Sequence, residues 1–133
     1  MKLFHYTSME KYNGIFDAGY IKPFRCHSPL PYVWLTPEAD FFGAAYKHGI
    51  SYERTQMRIA FNLDDRFKPW LACVMDNPTG AHELAFHRKY SGWKEQWISE
   101  SPIDINTAVE IVFRPDVAEY IEYCRSKKRE AKV

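Results

Sequence analysis

The first 23 residues change hydrophobic period twice, and this feature restricts the fold most. Residues 2–6 alternate as a half-buried strand does, and Thr7 with Glu10 then has the pattern of a capping box that begins a helix. The apolar positions of this helix share one face: Met9, Tyr12, Ile15 and Phe16. Gly19 ends the helix, and residues 20–23 are extended again. Strand, helix and strand in so short a segment predict an α+β fold of short elements.

Two more strands and a second helix continue this pattern. Residues 32–36 and 58–63 have the β-branched, aromatic or alternating character of strands. Between them, Pro37 suits the first turn of a helix that continues to Gly49. The mixed segment 64–80 contains Pro and Gly breakers, and a loop of this length is usually functional or carries an unrecognised helix.

The C-terminal third predicts two helices around a bent pair of strands. A helix is expected over 81–90, followed by strands at 93–99 and 103–113 that form a hairpin or sharp bend at Pro102. Pro115 begins the last helix. Its apolar positions are spaced to pack one face: Val117, Tyr120, Ile121 and Cys124. We therefore expect one domain over 1–124, with 125–133 as a basic helix end or frayed tail.

The charge and cysteine content exclude several classes of protein. Eighteen Lys and Arg oppose 17 Asp and Glu, so the net charge of +1 lacks the strong field of a dedicated polyanion binder. Three distant cysteines, Cys26, Cys73 and Cys124, suggest neither a disulfide framework nor a zinc site. No apolar run is long enough to cross a membrane. We expect a cytoplasmic protein with no metal and no membrane partner.

Candidate binding residues lie where the first strand meets the first helix. Aromatic residues make up 17% of the chain, and their rings can pack a core or stack on planar ligands. His5, Tyr6, Thr7 and Ser8 are placed where a helix N-terminus could receive anionic oxygens. The same residues are also explained by a simple helix cap and a packed imidazole.

Three patches together resemble one known superfamily. HYTS at 5–8 is followed by Gly19 and a short strand, VWLT lies at 33–36, and EQWI at 95–98 precedes SPID at 101–104. This pattern, over about a third of the chain, resembles ADP-ribosyltransferase-like domains, in particular DarT-type DNA ADP-ribosyltransferases and, more loosely, tRNA 2′-phosphotransferases. The resemblance implies five to six short, mostly antiparallel strands in a split sheet, with three to four helices.

The resemblance also implies NAD as substrate and assigns roles to individual residues. Glu95 would be catalytic, because a carboxylate near the ribose stabilises an oxocarbenium-like transition state. His5 would orient the substrate and share the catalytic assignment. The residues expected to bind the cofactor are His5, Tyr6, Thr7, Tyr32, Trp34, Thr36 and Arg58.

Each assignment has a structural alternative. Glu95 lies between Trp93 and Trp97 and can equally be a half-exposed carboxylate flanked by packed rings, and Glu100 and Glu110 are rival acids. Trp34, between Val33 and Leu35, can be a core residue rather than a stacking platform. The two histidines of the predicted helix, His82 and His87, are expected at the surface, and His27 and His48 show no partner pattern.

Three functions remain open from the sequence. The first is an ADP-ribosyltransferase-like enzyme that modifies a nucleic acid or a protein. The second is a non-enzymatic binding module of the same fold, of phage or mobile-element type, that engages a host protein or single-stranded nucleic acid. The third, RNA-end processing, needs basic side chains in the cleft, for which Arg25, Arg58 and Arg66 are candidates. An enzyme requires His5 and Glu95 to meet at one cavity.

Overall fold

A computed structural model describes residues 1–25, 30–75 and 87–131. The strands of this part of the chain, in order, are β1 (Lys2–Thr7), β2 (Tyr20–Ile21), β3 (Val33–Leu35), β4 (Met57–Asn62), β5 (Lys68–Pro69), β6 (Trp97–Ser99), β7 (Ile103–Asp104) and β8 (Glu110–Phe113). The α-helices are α1 (Met9–Ala18), α2 (Phe41–His48), α3 (Trp70–Met75) and α4 (Pro115–Ala131). Single turns of 3₁₀ helix lie at Tyr52–Thr55, Trp93–Glu95 and Ile105–Thr107.

The strands form three small antiparallel sheets, ordered β1-β4-β8, β3-β6-β5 and β2-β7. The two three-stranded sheets meet at one pair of residues. Phe4 N donates to Thr36 O at 2.8 Å, and Thr36 N donates to Phe4 O at 3.0 Å. Beyond this pair β1 and β3 separate, because each pairs with a different partner, β4 and β6.

The mixed α+β class is confirmed, but the number and pairing of strands differ from expectation. The described residues contain eight strands rather than five or six. Of the two expectations at Pro102, the hairpin was wrong, since β6 pairs with β3 and β5, β7 with β2, and β8 with β4. The alternative, a bend, is found at Glu100 and Ser101. The expected strand over 103–113 is interrupted because Asp104 caps a 3₁₀ turn by accepting from Asn106 N at 2.9 Å. Side-chain capping overrides the strand propensity of this segment.

Both predicted helices in the first half exist, but with later starts. Ser8, not Thr7, caps α1 and accepts from Lys11 N at 3.2 Å, which leaves Thr7 as the last residue of β1. Asp40 caps α2 by accepting from Gly43 N at 2.8 Å, so Pro37 lies outside the helix. The predicted C-terminal ends are confirmed: Gly19 and Gly49 adopt left-handed φ values of 83° and 63°.

The other helices differ more from the predictions. α3 lies inside the segment 64–80, where an unrecognised helix was one of two expectations. Most of the helix predicted over 81–90 lies outside the described residues. α4 continues from Pro115 across residue 124 to Ala131. Its apolar face was mispredicted, since Val117 is buried but Tyr120 is 65% exposed.

Most of the core lies between the sheets and includes Leu3, Ile59 and Phe61, which are fully buried. A second cluster lies on the opposite face of β1 around Phe4 and Tyr6, and a third surrounds Trp70. α1 contributes no buried residue, although its sequence is amphipathic. Tyr12 and Ile15 of this helix are half-buried and pack against the first cluster. No helix of the described residues is long and apolar enough to span a membrane.

Candidate functional site

A cavity of about 480 Å³ lies beside the segment where β1 and β3 separate, and α1 forms one side of it. Its volume is within the range of small-molecule sites, roughly 300–1,000 Å³. The described residues that line it from β1, β3 and their ends are Phe4, His5, Tyr6, Thr7, Ser8, Tyr32, Val33, Trp34, Leu35 and Thr36. Side chains from later elements complete it: His48, Ile50, Arg54, His87 and Gln96.

The α1 wall has helical spacing. Lys11, Gly14, Ile15 and Ala18 line the cavity at i, i+3, i+4 and i+7. A Cβ built on Gly14 would meet no atom within 4 Å, so this position faces open space. Of the apolar face predicted for α1, only Ile15 is among the described lining residues, and Ile15 and Tyr12 also pack against the first core cluster.

His5 is fixed across the gap between the strands. Its Nδ1 donates to the carbonyl oxygen of Trp34 at 2.9 Å, a bond that sets the tautomer and leaves Nε2 as an acceptor. Burial lowers the pKa of His5 below its ordinary value of 6.5, and this effect outweighs the hydrogen bond to Trp34. The imidazole is therefore neutral at neutral pH and can accept a hydrogen bond from a ligand hydroxyl.

Tyr6 is engaged elsewhere, although it borders the cavity. Its ring packs edge-on against Phe41 at 5.7 Å, and its hydroxyl donates to Glu38 O at 2.5 Å. Burial raises the pKa of this phenol, so the hydroxyl stays protonated. Because both its ring and its hydroxyl have protein partners, Tyr6 is poorly placed to stack on a ligand.

Trp34 is the centre of an aromatic wall. Its ring lies 5.6 Å from Tyr32, edge-on, and 5.1 Å from His87 in a stacked arrangement with a 26° interplanar angle. The expectation that His87 is a surface residue was wrong, since it is 7% exposed. His82 lies outside the described residues. Trp34 packs against the third core cluster, as a core residue would. It also lines the cavity, as a residue that stacks on a ligand must.

Polar contacts connect three lining residues, Thr36, His48 and Gln96, which we call the His48 cluster. The sequence did not predict these contacts. His48 Nε2 lies 2.8 Å from Thr36 Oγ1, and its Nδ1 lies 3.5 Å from Gln96 Nε2. Burial lowers the pKa of His48, although the nearby Glu95 carboxylate acts in the opposite direction. His48 ends α2, a position that gives no functional signal in the sequence.

Glu95 is beside the cavity rather than inside it. It ends the 3₁₀ turn instead of beginning a strand, because β6 starts only at Trp97. Its side chain is 50% exposed and lies 4.0 Å from Lys47 Nζ. The next residue, Gln96, lines the cavity, whereas Glu95 is not among the described lining residues. His5 therefore lies on the cavity wall, whereas Glu95 is connected to the cavity only through its chain neighbour Gln96. The expected meeting of His5 and Glu95 at one cavity is not found among the described lining residues.

The rival acids have partners of their own outside the cavity. Glu100 lies 3.5 Å from Lys68 Nζ, and Glu110 lies 3.4 Å from Arg58 Nη2. Neither acid is among the described residues that line the cavity.

The cations at the cavity are not the ones predicted. Arg58 is not a described lining residue, and its guanidinium lies over the Phe4 and Phe41 rings and donates to Ala39 O. Arg25 and Arg66 are also absent from the described lining. The basic residues that do line the cavity are Lys11, Lys22 and Arg54. These come from three separate segments, so only the tertiary fold could identify them.

Within the described residues, no group of three His, Cys, Asp or Glu side chains is arranged to hold a metal ion. Searches of protein-family models, curated proteins and solved structures found no match to this chain.

Proposed function

We propose that this protein binds NAD in the cavity and transfers its ADP-ribose group to a macromolecule, as ADP-ribosyltransferase-like enzymes do. One observation carries the proposal: of the seven residues expected to bind the cofactor, six line the same cavity, namely His5, Tyr6, Thr7, Tyr32, Trp34 and Thr36. They come from two segments that only folding brings together.

The chemistry of the lining suits the parts of a dinucleotide. Trp34 supplies an aromatic wall for the nicotinamide ring, and His5 Nε2 accepts from a ribose hydroxyl. Lys11, Lys22 and Arg54 supply positive charge for the diphosphate.

In the proposed reaction the bond between ribose C1′ and the nicotinamide nitrogen breaks. Its electron pair neutralises the pyridinium ring, and C1′ acquires positive charge. Glu95, as a carboxylate beside the cavity, stabilises this charge. An acceptor oxygen or nitrogen then bonds to C1′ and loses its proton to Glu95 or to solvent. Free nicotinamide and the modified acceptor are the products.

The exposure of Glu95 suits a large acceptor. Half of its side chain is open to solvent, so a macromolecule can approach C1′ without entering the cavity. A net charge of +1 favours neither duplex nucleic acid nor an acidic protein. The proposal therefore leaves both classes of acceptor, nucleic acid and protein, in place.

The test is release of nicotinamide from NAD, with Glu95→Gln compared with Glu100→Gln. Glu100 is the matched control because its side chain is 54% exposed, close to the 50% of Glu95, but is paired with Lys68 away from the cavity. We expect Glu95→Gln to lower the cleavage rate by about 100-fold or more, whereas Glu100→Gln cleaves as the wild type does. If the wild type binds NAD but releases no nicotinamide with any acceptor, the non-enzymatic binding module replaces the enzyme.

A further inference from the structure

Among the described residues, Gln96 and Trp34 each line the cavity and bury a polar atom that has no hydrogen-bond partner there, as do Arg58 and Trp70 outside the lining. Gln96 is 7% exposed, and its Oε1 has no hydrogen-bond partner within the described residues. The indole Nε1 of Trp34 is likewise buried without a partner there. Both residues line the cavity. Such atoms are costly in a folded protein unless a ligand or water satisfies them.

Neighbouring residues contact the side-chain amide of Gln96 at one atom and fix its backbone at another. Its Nε2 faces His48 Nδ1, and the backbone oxygen of Gln96 accepts from Trp70 N at 3.0 Å. His48 is in turn bonded to Thr36, whose Oγ1 accepts from Glu38 N at 3.1 Å. With Nε2 directed to the imidazole, the amide has its oxygen left for another donor. Since Gln96 is 7% exposed, this oxygen belongs to a buried amide rather than to a mobile surface side chain.

One of the two unpaired atoms at the cavity is an acceptor and the other is a donor. Gln96 Oε1 can only accept, and Trp34 Nε1 can only donate. A primary carboxamide offers the matching groups, an NH₂ donor and a carbonyl acceptor on one carbon. A carboxylate offers two acceptors and no donor, so it would place negative charge against Gln96 Oε1.

We propose that Gln96 Oε1 accepts a hydrogen bond from the nicotinamide carboxamide of NAD, with Trp34 Nε1 donating to the carbonyl oxygen of the same group. This inference rests on the proposed function and specifies how the substrate is recognised. It places the nicotinamide ring inside the cavity, with Gln96 at its carboxamide and the neighbouring Glu95 outside. Gln96 is then the residue that distinguishes the amide from its acid.

The experiment compares the affinities of three ligands by isothermal titration calorimetry: NAD, nicotinic acid adenine dinucleotide and ADP-ribose. We expect the wild type to bind NAD at least about 10-fold more tightly than the acid analogue. Gln96→Met, which keeps the length of the side chain, should reduce this ratio to below about 3-fold while leaving ADP-ribose affinity unchanged, because ADP-ribose has no carboxamide.

A second variant gives a result that loss of folding cannot explain. Gln96→Glu retains an acceptor for the carboxamide NH₂ and adds repulsion for a carboxylate, so its preference for NAD over the acid analogue should exceed that of the wild type. The proposal is overturned if Gln96→Met weakens NAD and ADP-ribose equally, or if its NAD preference survives. Since the readout is binding, absence of cleavage in the wild type would defeat the enzymatic proposal alone. Failure of the wild type to bind any of the three ligands would overturn both.

Discussion

Two buried polar clusters in this molecule use their hydrogen-bonding groups differently. In the first, which we call the Arg114 cluster, Arg114 is 6% exposed and all three of its guanidinium nitrogens are paired. Its partners are Tyr52 O, Thr55 Oγ1 and the Asp116 carboxylate, and it also stacks 3.5 Å from the Tyr52 ring centroid. In the His48 cluster, the Gln96 amide is paired at one atom only.

The two clusters therefore differ in what they can offer a ligand. The Arg114 cluster connects the 3₁₀ turn Tyr52–Thr55 to the start of α4, and it has no free hydrogen-bonding nitrogen to offer a ligand. The His48 cluster borders open space and keeps one acceptor unused within the described residues. The proposed NAD site needs both features of Gln96, an unused acceptor and a place on the cavity lining, and in the described part of the chain the Arg114 cluster has neither.

The largest expected effect on stability comes from Arg114→Met. This change leaves Tyr52 O and the buried Thr55 with fewer partners, and we expect it to reduce the free energy of unfolding by about 2–4 kcal/mol. Gln96→Met is the matched comparison and should cost less than about 1 kcal/mol, because it removes an oxygen with no partner among the described residues and a single long contact of 3.5 Å from Nε2 to His48 Nδ1. Urea unfolding measures both. Equal losses for the two variants would contradict the distinction between the clusters.

A smaller effect is expected from pH. The pKa values of His5 and His48 are lowered in the folded protein, so the unfolded chain binds protons first as the pH falls. The free energy of unfolding therefore has its full value above about pH 6.5, the pKa of histidine in the unfolded chain. Below that pH it decreases, by up to about 1.4 kcal/mol per pH unit for each histidine.

Unfolding in urea between pH 7.5 and 5.5 measures this dependence, and carboxylates titrate mainly below that range. His48→Asn should have a shallower decline than the wild type, because one of the two protons is no longer taken up on unfolding. An unchanged slope would mean that His48 is not held neutral in the fold.

The local parts of this fold could be predicted from the sequence, and the site only in part. Period and capping signals located β1, α1 and the glycine ends of two helices, because those depend on residues close in the chain. HYTS and VWLT supplied two walls of the cavity. His48 and Gln96 were missed, since their role depends on the approach of α2 to the start of β6. Tyr120 was misplaced because helical spacing does not reveal whether a partner covers the face.

The central claim, that NAD occupies the cavity beside α1, is tested most directly by the affinity of Gly14→Leu for NAD. Gly14 lines the cavity and has space for a side chain, whereas the adjacent Asn13 is exposed and is not a described lining residue. Leucine stabilises a helix relative to glycine by roughly 0.5–1 kcal/mol, so α1 should persist in both Gly14→Leu and Asn13→Leu. Calorimetric titration should give the wild-type dissociation constant for Asn13→Leu and one at least about 10-fold weaker for Gly14→Leu. Wild-type affinity in Gly14→Leu, or no binding by the wild type, would contradict the account.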